Sequence, residues 1–259
     1  MQDQLKIALI QSDLVWENPS QNRLNFTEKI NHIQMDVDII LLPEMFTSGF
    51  TMAPENVFEA MEGETIAWML KMAKANKTAI GGSLVIQENE KFYNRFVFAK
   101  PDGLIVTYDK RHTFTLAGED KKYTSGDCRV IIDYKGWKIC PLVCYDLRFP
   151  VWARNTNDYD VLCYVANWPK PRITAWDTLL KARAIENMSY CIGVNRVGID
   201  HNSHEYSGHS AAYDGLGAEL SGLKDSEEAI AIVNLSKKHL QTIRETLMFL
   251  NDKDDFTLK

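Results

Sequence analysis

The 259-residue sequence contains no Gly/Ser or Pro-rich tract, no long block of like charge and no low-complexity segment. Nothing in it therefore reads as a linker, and the length fits one domain over residues 1–259 with ample apolar material for a large core. It also lacks any apolar run long enough to span a bilayer, which argues against a membrane protein. The acidic start Met1-Gln-Asp-Gln and the short apolar run behind it do not resemble a signal peptide. Cysteines number only five (128, 140, 144, 163 and 191), an odd count with no Cys-x-x-Cys pair. That excludes a regular disulfide framework or zinc ribbon and fits a reducing cytoplasm. A net charge of −6 with interspersed signs, and no basic patch, argues against nucleic acid as a partner.

What is present is an alternation of apolar runs and helical periodicities. Leu5–Gln11, Asp38–Phe46, Thr78–Gln87, Tyr159–Ala166, Tyr190–Val197 and Glu228–Leu235 read as buried strands. Continuous apolar strands are expected where both faces of a sheet are covered. Asn18-Pro19-Ser20 predicts a capped helix to about Ile33, with Leu24, Ile30 and Ile33 inward. Further helices are expected over Glu64–Lys77 and Ile173–Met188. Lys100-Pro-Asp-Gly103 joins Phe92–Ala99 to Leu104–Lys110 as a hairpin, and a second joins Arg129–Tyr134 to Trp137–Cys144. His209–Leu220 suggests one more. Gly81-Gly82 marks a bulge or a close approach. The implied class is α/β, with sheets that mix parallel and antiparallel strands and helices outside.

Three polar residues follow apolar strands. Glu44 comes after Leu41-Leu-Pro43, Lys110 after Ile105–Asp109, and Cys144 after Ile139–Val143. Cys144 stands at a strand-to-elbow turn before Phe149-Pro150, where amide N–H groups and a helix N-terminus would lower a thiol pKa. On the local pattern alone, Cys144 is either a reactive thiol or a small buried hydrophobe. Ligands gather beyond the carboxyl ends of strands in open α/β sheets, so an acid, a base and a thiol can converge there. Together they supply what acyl transfer to a thiol requires: a carboxylate to take the thiol proton and an ammonium for the oxyanion.

Leu42-Pro-Glu-Met-Phe46, Tyr108-Asp-Lys-Arg-His112 and Val143-Cys-Tyr-Asp-Leu-Arg-Phe-Pro150 resemble, in order and spacing, the signature segments of the nitrilase, or carbon–nitrogen hydrolase, superfamily. Gly118-Glu119, Asn167-Trp-Pro169, Lys181–Asn187 and Gly208-His-Ser210 with Asp214 resemble further segments of it. The resemblance implies a four-layer α-β-β-α sandwich that usually dimerises across a helical face. It implies Glu44 as general base, Lys110 as oxyanion stabiliser, Cys144 as nucleophile and Glu119 as the glutamate that orients the lysine. The Tyr145 N–H would share the oxyanion.

Cys144-Tyr-Asp-Leu-Arg-Phe-Pro-Val-Trp-Ala-Arg-Asn155 is most similar to the bacterial omega-amidase branch, which acts on 2-oxo acid amides such as 2-oxoglutaramate and 2-oxosuccinamate. Such a substrate carries a distal carboxylate, for which arginine is the natural partner. Arg148 is the first candidate and Arg172 the second, with Phe114 and Trp168 as pocket walls. Gly215 after Asp214 and Val151 after Pro150 depart from the wider family pattern. The expected reaction needs a small amide and water, and no cofactor. Alternatives are the same chemistry on an aliphatic amide, an N-carbamoyl amine or a nitrile, and a non-catalytic scaffold. His201, His204 and His209 lie close together, but their spacing matches no zinc motif, so no metal is expected. Cys128, Cys140, Cys163 and Cys191 are expected in the core.

Overall fold

Strand β1 (Gln4–Gln11) shows how the layers form. Its residues Leu5, Ile7 and Leu9 join one apolar cluster, while Ala8 and Ile10 join another. Successive side chains point to opposite faces of a strand, so β1 is buried on both sides and needs no polar alternation. The computed structural model describes residues 2–221, 223 and 225–257.

In the first sheet β1 lies in parallel beside β2 (Ile39–Leu41), which pairs in parallel with β3 (Ala79–Glu88). β4 (Lys91–Ala99) and β5 (Ile105–Asp109) follow as an antiparallel meander. The second sheet has β7 (Trp137–Val143), β8 (Val161–Ala166) and β9 (Tyr190–Asn195) in parallel at its centre. β6 (Ile132–Tyr134) and β12 (Ala211–Tyr213) flank them antiparallel. β13 (Ala229–Ser236) returns to the first sheet, antiparallel to β1.

The sheets face each other, with β1 against β9 and β4 against β7. Helices α1 (Pro19–Asn31) and α2 (Glu64–Asn76) cover the outer face of the first sheet through Phe26, Ile30, Ile66 and Met69. Helix α4 (Ile173–Asn187) covers the second. Trp176 and Leu180 lie so close to β9 that a Cβ on Gly193 would fall 2.6 and 2.5 Å from their atoms. The result is the expected α-β-β-α sandwich. A short helix α3 (Pro150–Ala153), a hairpin of β10 (Val197–Ile199) with β11 (Glu205–Ser207), and α5 (Lys237–Leu247) complete it.

Several local expectations change. Leu24 is 60% exposed; α1 instead buries Asn22, Phe26 and Ile30, which lie on one face at a spacing of four. An apolar count misses Asn22, whose carboxamide bonds Val15 on both N–H and C=O and also the Thr47 carbonyl. The strand predicted over Asp38–Phe46 keeps only Ile39–Leu41, because Pro43 lacks the N–H a ladder needs. Cys128 is exposed, whereas Cys140, Cys163 and Cys191 are buried. Of the hairpin predicted over His209–Leu220, one short strand, Ala211–Tyr213, and a single Tyr213–Glu219 bridge form. Helix α5 escaped prediction, although Ser236 caps it through the His239 N–H and Leu240 and Ile243 are buried.

Candidate active site

The segment carrying Glu44 is seated on β3. The Leu42 N–H donates to the Gly81 carbonyl at 2.8 Å, and the Met45 N–H to Ser83 Oγ at 2.9 Å. A Cβ on Gly82 would come within 2.9 Å of Phe46 and 3.0 Å of Leu42. The ladder from β3 to β4 runs without interruption through Gly81 and Gly82, so the glycine pair serves a close approach and not a bulge.

The Glu44 carboxylate is fully buried and saturated with donors. Its Oε1 accepts from Lys110 Nζ at 2.9 Å and Asn94 Nδ2 at 2.8 Å, and its Oε2 accepts from the Asn167 N–H at 2.8 Å. Lys110 follows β5 directly, and its ammonium also bonds both oxygens of the buried Glu119, at 3.0 and 2.9 Å. The Phe50 ring lies 5.2 Å from Nζ. Asn94 bridges the two carboxylates, reaching Glu119 Oε1 at 3.2 Å. Prediction missed Asn94; the signal was an uncharged polar residue buried in the middle of strand β4. Burial works against the Lys110 charge, but Glu119 and Glu44 outweigh it and hold the ammonium above the usual lysine range. Burial pushes the Glu119 carboxyl up against the pull of Lys110, and the Glu44 charge pushes the same way.

Cys144 follows β7 directly and opens a short 3₁₀ turn, Cys144–Arg148, after which Pro150 begins α3. Its φ is +44°, a left-handed conformation that non-glycine residues adopt at a cost of about 1–3 kcal/mol and that recurs at functional turns. The thiol pKa is raised well above the usual value, by burial first and then by the Glu44 charge, with Lys110 opposing. The expectation of a lowered pKa is thus overturned. A five-residue turn offers little dipole, and two carboxylates face one ammonium, so an added thiolate charge is disfavoured. Cys144 therefore rests as a thiol beside the Glu44 carboxylate. The ultraviolet thiolate absorbance lost on replacing Cys144 by serine is therefore expected to be absent in neutral buffer and to appear only in strongly alkaline buffer. A Cys144-dependent thiolate signal at neutral pH would contradict this charge balance.

Glu44, Lys110 and Cys144 line a cavity of about 340 Å³. Arg148 and Arg172 also line it, each stacked on an aromatic ring: Arg148 over Trp168 at 4.9 Å and Arg172 over Phe114 at 5.3 Å. Among the described residues neither guanidinium has a carboxylate partner. Tyr145 lies edge-on to Phe114, with centroids 4.9 Å apart. The structure brings all nine predicted site residues to one place except that Glu119 stands behind Lys110, outside the cavity lining. The β10–β11 hairpin adds Tyr206 and Asp200 as an unpredicted wall, their side chains joined at 2.9 Å. The three neighbouring histidines turn to separate partners: His201 to Trp16, His204 to Asp200 and His209 to Asp177.

An α-β-β-α sandwich with a glutamate, a lysine and a cysteine converging where its two sheets meet defines a class of hydrolase. Residues 6–245 match the carbon-nitrogen hydrolase family, and the chain belongs to that family. It is 45% identical over 255 residues to omega-amidase YafV of Yersinia enterocolitica, with 98% of each chain covered. It is 31% identical to 2-oxoglutaramate amidase of Bacillus subtilis, with 95% of this chain and 96% of that one covered. A crystal structure of a CN-hydrolase superfamily protein from Xanthomonas campestris, with an arsenic adduct in its active site, superposes with a TM-score of 0.96 at 38% identity over the whole of both chains.

Proposed function

We propose that the chain is an omega-amidase that hydrolyses the terminal amide of a small 2-oxo acid amide, of the 2-oxoglutaramate or 2-oxosuccinamate type. The observation that carries the reading is the shared cavity: Cys144, Glu44 and Lys110 with two guanidiniums that have no carboxylate partner among the described residues. The full-length similarity to omega-amidase YafV and to 2-oxoglutaramate amidase supports it.

In this reading Glu44 takes the Cys144 proton as Sγ attacks the amide carbon. The oxyanion that forms meets the Lys110 ammonium and the Tyr145 N–H, donors already in place before charge develops. Collapse breaks the C–N bond, Glu44 returns the proton to nitrogen, and ammonia leaves a Cys144 thioester. Water then gives a proton to Glu44 and adds to the thioester carbon. The C–S bond breaks, the sulfur regains a proton from Glu44, and the carboxylic acid product departs, giving up its own proton to solvent. A raised thiol pKa suits this cycle, because the proton moves only as the carbonyl is attacked. Glu119 keeps Lys110 charged and aimed.

Arg148 reads the distal carboxylate, Arg172 assists, and Phe114 and Trp168 hold both guanidiniums in place. The same cations disfavour the α-ammonium of an amino acid amide. Ammonia release from 2-oxoglutaramate is therefore expected to exceed that from glutamine, a simple aliphatic amide or a nitrile, and equal rates on all four would overturn the reading. Arg148→Ala should raise KM for 2-oxoglutaramate about tenfold, the worth of a charge-assisted hydrogen bond at a part-open site, and leave KM for the aliphatic amide unchanged. Equal losses on both would make Arg148 structural.

We further infer a single domain working as a homodimer in the cytoplasm. The resemblance to a family that usually dimerises across a helical face, and the exposed Met248 and Phe249 past α5, support the dimer. Five free cysteines support a reducing compartment. Among the described residues no helix is long and apolar enough to cross a membrane.

A further inference from the structure

Glu44 and Lys110 follow strands of the first sheet and Cys144 a strand of the second, while the hydrogen-bonded ladders run within each sheet. The placement of lysine against thiol therefore rests on side chains that cross from one sheet to the other. One buried carboxylate supplies several of these crossings. Asp146 stands two residues after Cys144 and is fully buried. Its Oδ2 accepts the Val143 N–H at 3.0 Å, closing the elbow around Cys144, and the same oxygen accepts the Tyr108 hydroxyl at 2.8 Å. Its Oδ1 accepts the His112 N–H at 2.9 Å and lies 2.8 Å from His112 Nδ1.

Tyr108 and His112 stand two residues to either side of Lys110, so one carboxylate grips both flanks of the lysine and the backbone N–H just before the cysteine. The Tyr108 hydroxyl in turn accepts from the Arg111 N–H at 3.2 Å and the Trp152 indole N–H at 3.0 Å. The His112 ring lies flat on Phe149, 3.7 Å between centroids and 4° between planes. An ionised carboxylate only accepts, so His112 Nδ1 carries a proton toward it.

We propose that Asp146, with His112 as its donor, is a positioning residue that sets Lys110 against Cys144 and so acts on oxyanion stabilisation and not on the thiol itself. The inference rests on the acyl-transfer reading above. An oxyanion donor acts over hydrogen-bond distances, and a displacement of about 1 Å costs about a hundredfold in rate.

The test compares two reactions of Cys144. Acylation by p-nitrophenyl acetate develops an oxyanion and needs Lys110. Alkylation by iodoacetamide is a displacement at saturated carbon and does not. Asp146→Asn sets a side-chain N–H against donors and should slow acylation about tenfold to a hundredfold, with alkylation little changed. His112→Phe keeps the ring on Phe149 but loses the Nδ1 donor and should slow acylation less. His112→Asn returns a nitrogen donor to that position and should recover the rate. Unchanged acylation in the His112→Phe and Asp146→Asn variants, or alkylation falling in parallel with acylation, would overturn the proposal. Should Asp146→Asn not fold, the two His112 variants decide. Wild-type protein that p-nitrophenyl acetate acylates but that is inert toward 2-oxoglutaramate would overturn the substrate reading alone, with the same variants still testing Asp146.

Discussion

Replacing Cys144 with alanine is expected to abolish ammonia release, by a factor of about 10⁶, the order seen when a hydrolase loses its covalent nucleophile. The loss is large because no other group can stand in. Glu44 is a base, not an acyl acceptor here, since hydrogen bonds from Lys110, Asn94 and Asn167 hold its carboxylate in place. Without the thiol it would have to activate water for direct attack on an unactivated amide. The fold should tolerate the change. Alanine meets the same left-handed φ at position 144, and the raised thiol pKa shows that no favourable thiolate pairing is lost. A melting shift within the range of an ordinary substitution, about 1 kcal/mol, is expected. Intact mass spectrometry after quenching should show an acyl adduct on the native protein and none on the variant. Full turnover by Cys144→Ala would remove the proposed mechanism.

Lys110→Met should damage both activity and stability, for separable reasons. Removing an oxyanion donor costs about a hundredfold to a thousandfold in kcat. The stability effect comes from what remains: Glu44 and Glu119, both fully buried, lose the ammonium between them. Breaking a buried ion pair on one side typically costs about 3–5 kcal/mol, because an uncompensated charge stays behind. Glu119 already has a folded-state pKa above its ordinary value, and loss of Lys110 removes the cation that pulls it down. The folded variant then holds a proton that the unfolded chain releases, so acid favours folding and the penalty grows as pH rises through the unfolded carboxyl pKa. Denaturant titrations should show a smaller deficit in mildly acidic than in neutral buffer. Adding Glu119→Gln to Lys110→Met should restore part of the stability and none of the activity. A variant as stable as the parent at neutral pH would refute the charge assignment in this cluster.

Legibility in the sequence varied with the range of the interaction. The N-cap at Asn18, the hairpin at Lys100–Gly103 and the apolar runs of β1, β3 and β8 depend on neighbours a few residues away, and all were readable. Leu24 misled because periodicity counts apolar residues, whereas α1 turns Asn22 inward to bond backbone groups on two loops. Helix α5 depends on packing Leu240 and Ile243 into the core, a contact that a short polar helix does not announce.

The candidate site divides along the same line. Residue type and order determined which groups were candidates: a glutamate, a lysine and a cysteine each placed after an apolar run, in segments resembling one family. The elbow at Cys144 was also legible, from Pro150 and the abrupt end of the strand. Only the tertiary structure decided the charge state of that thiol, because its pKa depends on burial and on Glu44, a hundred positions away in sequence. Only it showed Asn94 between the two glutamates, the arginines stacked on Trp168 and Phe114, and Asp146 joined to both flanks of Lys110. The physical reason is that Coulomb and hydrogen-bond energies follow distance in space, and the two sheets bring together segments that no sequence periodicity connects.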